Sequence, residues 1–215
     1  MNKLFALITA ACISLPAWAT LDEAGTQRLQ QIQQRWAQIQ YETAEQQRAK
    51  AFEALARETE AFTRAQPGAA EAWIWHGIVA SSWAGAEGGL GALGKVKDAK
   101  RSLERAIALD PKALNGSAYT SLGTLYDRVP GWPIGFGDED KAGQLLQQAL
   151  QINPNGIDSL YFWGDHLYRQ GQYAQARAAL EKARQAPPRE GRELADKGRQ
   201  GEITELLQAV DRKLN

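Results

Sequence analysis

Residues 160–188 read LYFWGDHLYRQGQYAQARAALEKARQAPP, and the spacing inside this stretch decides the fold. Leu160 stands three positions before the pair Trp163-Gly164, and Leu167 stands three positions after the glycine. Ala176, Leu180, Ala183 and Pro188 follow Gly164 by 12, 16, 19 and 24 residues. Small residues at such intervals let two helix backbones approach closely, and large residues between them fill the remaining space. The stretch therefore reads as a helix-turn-helix pair.

The spacing returns twice upstream. Tyr119, Leu122, Gly123 and Tyr126 repeat its first half and Ala142, Leu146, Ala149 and Pro154 its second, with seven extra residues between the halves. The excess is the run from Val129 to Asp138, whose prolines and glycines cannot continue a helix. A third copy holds Trp73 and Gly77, then Ala99, Leu103, Ala106 and Pro111, with a ten-residue excess through Gly85 to Gly94. Each pair leaves an apolar face that only a neighbouring pair covers. From Ile157 to Glu190 the pattern resembles the tetratricopeptide repeat at full length. That resemblance implies an all-α, right-handed superhelix of antiparallel helix pairs. Residues 69–190 are expected to form three such repeats, the first two with enlarged inter-helix loops.

The flanks read as caps. In 20–68, Leu29, Ile32, Trp36 and Ile39 recur at three and four, and Thr43-Ala44-Glu45-Gln46 has the form of a capping box. It would open a second helix bearing Phe52, Leu55, Thr59 and Phe62. In 191–215, Ile203, Leu206, Leu207, Val210 and Leu214 make an apolar stripe, as on a terminal helix with one solvated face. Only four valines occur in 215 residues, which argues against a sheet.

Residues 1–19 are expected to be a secretory leader. Lys3 supplies the positive start, Leu4 to Leu15 an apolar stretch too short to span a bilayer, and Ala17-Trp18-Ala19 a cleavage site. The sequence thus predicts a periplasmic protein beginning at Thr20, with no membrane span. Cys12 is the single cysteine and lies inside the leader, so no disulfide supports the fold. Lipidation at Cys12 fits less well, because Thr9-Ala10-Ala11 lacks the usual leucine three residues before it. With 25 basic and 25 acidic side chains, nothing draws the chain toward nucleic acid.

Two further runs, Leu93-Gly94-Lys95-Val96-Lys97-Asp98-Ala99-Lys100 and Leu125 to Pro133 continued by Gly137 to Ala142, extend the resemblance. They are similar to a bacterial repeat family related to the T component of TRAP transporters and to regulators of microtubule dynamics. This likeness covers Glu71 to Pro188 and implies a superhelix that binds something, often outside the cytoplasm. By the same resemblance, the first helix of each repeat lines a concave groove. Tyr161, Asp165, Tyr168 and Arg169, with Thr120, Thr124, Asp127 and Arg128, would then face a protein or peptide partner. Trp132 and Phe136 in the long loop are further candidates, either as a lid or, more in keeping with how Pro/Gly loops become ordered, as rings pinned to the stack. A small hydrophobic ligand held under Trp83, Trp132 and Phe136 is the alternative.

Motifs that suggest chemistry weaken in context. Gly89 to Lys95 satisfies two phosphate-loop patterns, but no strand precedes it and Val96 stands where a hydroxyl would hold Mg²⁺. His76 and His166, even with Asp165, lack metal-ligand spacing. Asp138-Glu139-Asp140 lacks the alternating ligands of a calcium loop and suits a helix start. No nucleophile elbow or mature cysteine is present. The expectation is a non-catalytic scaffold without metal or cofactor.

Overall fold

A computed structural model describes residues 21–89 and 91–215. The expected leader, with Cys12, lies outside them. Nine helices run in chain order among the described residues: α1 (Glu23–Glu42), α2 (Glu45–Ala65), α3 (Ala70–Glu87), α4 (Ala92–Leu109), α5 (Ala113–Arg128), α6 (Glu139–Ile152), α7 (Ile157–Arg169), α8 (Tyr173–Arg184) and α9 (Glu193–Leu214). No strand occurs among these residues, so the all-α, tetratricopeptide-type reading holds.

Three glycines fix the pairing. A Cβ on Gly77 would stand 2.6 Å from Leu103 Cγ, on Gly123 2.8 Å from Leu146 Cγ, and on Gly164 2.8 Å from Leu180 Cγ. The repeat glycine thus lets α3 touch α4, α5 touch α6, and α7 touch α8. Leu103, Leu146 and Leu180 are in turn fully buried. Each leucine occupies the space that a side chain on the facing helix would otherwise claim.

Two local expectations change. Thr43 does not open α2: it ends α1, its hydroxyl donating to the Gln38 carbonyl at 3.3 Å, and Ala44 precedes α2 without a side-chain cap. A hydroxyl close to the open carbonyls of one helix end is drawn to them before it can serve the next start. The excess in the first repeat is also mostly not loop. It lengthens α3 and α4 to 18 residues each and leaves a short turn in which Gly88 and Gly89 adopt φ of 66° and 59°. Alanine-rich sequence on both sides favours helix, and left-handed geometry is readily taken by glycine. The second excess is a true loop from Val129 to Asp138, and Asp138 caps α6 by accepting from Lys141 N–H at 2.9 Å.

The odd-numbered helices α1, α3, α5, α7 and α9 touch one another in succession, and α9 returns to touch α1. The stack therefore closes into a ring instead of ending in an open superhelical turn. Closure depends on Gly198, whose Cβ would lie 2.4 Å from the Tyr41 ring. Tyr41 meets Trp36 edge-on at 5.9 Å, Trp36 meets Trp75 at 6.0 Å, and the Arg192 guanidinium lies 5.1 Å over Trp75. The C-terminal helix, expected to cap one end, thus also covers part of the inner face.

Candidate functional site

Helix α7 carries the groove-side chemistry on one stripe. Asp158, Tyr161, Asp165 and Arg169 follow at three- and four-residue steps, so one face presents all four. Helix α9 takes the first part of this stripe and helix α5 the second.

At the α9 end, Asp158 accepts from Arg199 Nε at 2.8 Å and from Arg189 Nη1 at 2.7 Å. Arg189 also binds Asp196 through its backbone N–H and its Nε, both at 2.7 Å. Arg199, itself buried, reaches Glu202 and lies 4.4 Å over Tyr161 and 4.6 Å over Phe162. Desolvation opposes the charge on Asp158, but Arg199 and Arg189 outweigh it and hold the carboxyl well below the usual carboxylate range. Glu202 moves the other way: burial raises its pKa and Arg199 only partly compensates. Desolvation, against the opposing field of Arg199, likewise pushes the Tyr41 hydroxyl above its ordinary range.

These shifts set a pH dependence. Asp158 binds fewer protons folded than unfolded, so its contribution is complete above the unfolded carboxyl value of about 3.9 and disappears as pH falls through its lower folded value. Glu202, with its folded pKa raised, has the opposite sign. The expected result is that Asp158→Asn melts well below the parent at neutral pH, and that the gap narrows below about pH 4. Thermal melts of both proteins across acid pH check this; a gap independent of pH would contradict the assignment.

At the α5 end, four of the sequence-predicted residues meet in one network. Arg128 Nη2 donates to Asp165 Oδ2 at 2.6 Å, and Arg169 Nε lies 3.3 Å from Asp165 and 3.4 Å from Asp127. His166 Nδ1 stands 2.7 Å from Asp127 Oδ1, with Trp163 stacked on its ring at 5.5 Å. The carboxylates are enclosed, Asp127 at 4% and Asp165 at 11% side-chain exposure, whereas the side chains of Arg128 and Arg169 are each 43% exposed. A guanidinium has five N–H donors, so each arginine keeps donors free for a partner while its position is fixed from behind.

The other predicted residues lie elsewhere. Tyr161 is buried beneath Arg199. Thr120 is 4% exposed and so enclosed within the stack, and its carbonyl accepts the hydroxyl of the partly buried Thr124 at 2.8 Å within α5. Tyr168 packs on Tyr173 at 5.6 Å, away from Arg169. In the long loop only Phe136 is pinned, edge-on to Tyr126 at 5.3 Å; Trp132 is 90% exposed, contrary to the expectation that both rings anchor the loop. Phe136 alone suffices, helped by Gly137 N–H to Pro130 O and Asp138 N–H to Tyr126 O, both at 3.0 Å.

Among the described residues no group of three His, Cys, Asp or Glu side chains is placed to hold a metal. His76 lies between Thr59 Oγ1 at 2.9 Å and Asp98 Oδ2 at 3.2 Å. Thr59 is fully buried, so this line ties α2, α3 and α4 together and offers no reachable nucleophile. Lys95 binds Glu87 at 2.8 Å and the Gly91 carbonyl at 3.0 Å and lies over Trp83, which occupies its ammonium locally. Trp83 borders a recess of about 220 Å³ that Trp132 and Phe136 do not line.

Comparison with known proteins bears on the fold. Residues 134–196 match the tetratricopeptide repeat family. No curated protein matches the chain. Among solved structures, a thermophilic TPR protein of Thermus thermophilus superposes with a TM-score of 0.59 at 18% identity, covering 88% of this chain and 86% of that one. Two structures of MamA also match, each with a TM-score of 0.45. One is 21% identical, covering 78% of this chain and 91% of that one; the other is 20% identical, covering 88% and 91%. No helix among the described residues is long and apolar enough to cross a membrane. The described chain therefore has the all-helical fold of tetratricopeptide repeat proteins, and its segment 134–196 is similar in sequence to that repeat family.

Proposed function

We propose that this chain is an exported, non-catalytic scaffold that holds a protein or peptide partner at the rim formed by the ends of α5 and α7. The observation that carries the reading is the pair of half-exposed arginine side chains, Arg128 and Arg169, each fixed by an enclosed aspartate. Such a pair suits a carboxylate or a run of backbone carbonyls, and its ordered side chains lose little entropy on binding. Tyr161 and Thr120, both buried, support the rim from within. Export rests on the Lys3 to Ala19 sequence. The similarity of Leu93 to Lys100 and Leu125 to Ala142 to the repeat family related to TRAP T components agrees with a binding role outside the cytoplasm. A small-ligand role has less support, because Trp83, Trp132 and Phe136 enclose no common cavity.

The test is quantitative capture from an envelope extract with the chain from Thr20 onward. Arg128→Ala combined with Arg169→Ala is expected to lower partner recovery by about tenfold or more, in line with losing charge-assisted hydrogen bonds worth roughly 1.5–3 kcal/mol each. Removing both guanidiniums leaves Asp165 and Asp127 with fewer partners and lowers the melting temperature, so capture is compared at a temperature where circular dichroism shows both proteins fully helical. Equal recovery by both proteins would remove the rim from the binding surface.

A further inference from the structure

The loop after α5 presents two large apolar side chains that its own fold does not use. Trp132 is 90% exposed and Ile134 61%, yet the loop is well braced. The Ile134 and Gly135 N–H groups both donate to the Gly131 carbonyl at 3.1 Å, and Phe136 anchors the far side. Trp132 is thus held outward on an ordered turn, a form that favours binding because little ordering remains to be done.

The same chain carries a matching recess. On the outer side, between α6 and α8 and floored by α7, an open groove of about 390 Å³ is lined by Leu150, Leu160, Trp163, Leu167 and Ala178, with Lys182 at its edge. Charge follows the same sense. Asp138, Glu139 and Asp140 are exposed beside the tryptophan loop. Of the cations on helix α8, Arg177 is held by Asp211 at 3.3 Å and Arg184 by Glu181 at 2.5 Å, while Lys182 stands at the groove's edge and supplies the charge that the acidic run would meet. Neither Trp132 nor Ile134 lines the recess, so projection and recess are two distinct surfaces of one copy and a contact between them is head-to-tail.

We propose that copies of this chain associate head-to-tail, with Trp132 and Ile134 of one copy seated in the α6–α8 groove of the next and the acidic run at 138–140 facing α8. A tryptophan and an isoleucine bury a few hundred Å² at most, below the roughly 1,200 Å² of a stable specific interface, so the association is weak and concentration-dependent. Because the contact uses two different surfaces, nothing in it limits assembly to a dimer. This contact is separate from the Arg128–Arg169 rim, and loss of partner capture there would leave it standing.

Sedimentation of the protein over a wide concentration range tests it. The unaltered protein should rise past the mass of a dimer at high concentration. Trp132→Ala keeps the groove and loses the projection, and Ala178→Glu keeps the projection and fills the groove with charge. Both positions are exposed, and unchanged circular dichroism confirms the fold. Each variant alone should stay monomeric, while an equimolar mixture should form a dimer and nothing larger, since one productive contact remains. A parent that stays monomeric throughout, a Trp132→Ala protein that associates like the parent, or a mixture that fails to pair would each overturn the proposal.

Discussion

Gly164→Leu is expected to lose about 3 kcal/mol or more, a fall in melting temperature of roughly 6–12 °C at this chain length. The side chain has nowhere to go. Even its Cβ would stand 2.8 Å from Leu180 Cγ and 2.9 Å from Cδ2, and Leu180 is itself fully buried. Gly123→Leu should behave alike against Leu146, because the same close approach recurs one repeat earlier. Gly94→Leu supplies the control: it lies within α4 with open space around its Cβ, so a side chain there should raise helix stability by up to about 1 kcal/mol. Thermal and urea unfolding of the three variants decide the matter. Equal melting of Gly164→Leu and the parent would mean that the helices of a pair are not in contact.

The second large effect is expected at Arg199. Arg199→Ala removes a buried cation that closes α9 onto α7, leaving Asp158 with Arg189 alone and Glu202 without its partner. Breaking a buried pair typically costs about 3–5 kcal/mol, and partial solvent access at Asp158 lowers the expectation here to about 2–3 kcal/mol. Replacing the group as a whole should cost far less. With Arg199→Met, Asp158→Asn and Glu202→Gln combined, no uncompensated charge remains, and a methionine still covers Tyr161 and Phe162. Urea unfolding should place the triple variant above Arg199→Met alone, which keeps the packing over Tyr161 and Phe162 but leaves the carboxylates without their cation. The reverse order would show that Arg199 acts through packing of its stem and not through charge.

The repeat skeleton was readable because it rests on volume. Gly77, Gly123 and Gly164, each opposite a buried leucine, obey a local rule of size and spacing. The rim was partly readable by resemblance, which put the first helix of each repeat on the groove and so named Asp127, Arg128, Asp165 and Arg169. Resemblance could not separate Arg169 from Tyr168, because one further residue along a helix turns the side chain by about 100° and delivers Tyr168 to Tyr173. Ring closure was not read. Its signal was nonetheless present: the buried positions of α9 run Ala195, Arg199, Ile203, Leu207 and Val210, so an arginine occupies a core position four residues before Ile203. A charge inside an apolar stripe calls for a buried counter-charge, and Asp158, about forty residues earlier, is a long-range partner that local spacing cannot supply. Trp132 was misjudged because one ring is enough to fix a loop, and composition does not say which.

The return of α9 to α1 bears on how such a chain is able to change over evolution. An open solenoid lengthens by duplication, since a new module needs only an existing neighbour to stack on. Here an added module would pull Gly198 away from Tyr41 and strand Arg192 from Trp75, so the number of units is tied to the meeting of the two ends. Outward-facing positions such as Trp132 and Ile134 are then the places where substitution leaves the circle undisturbed.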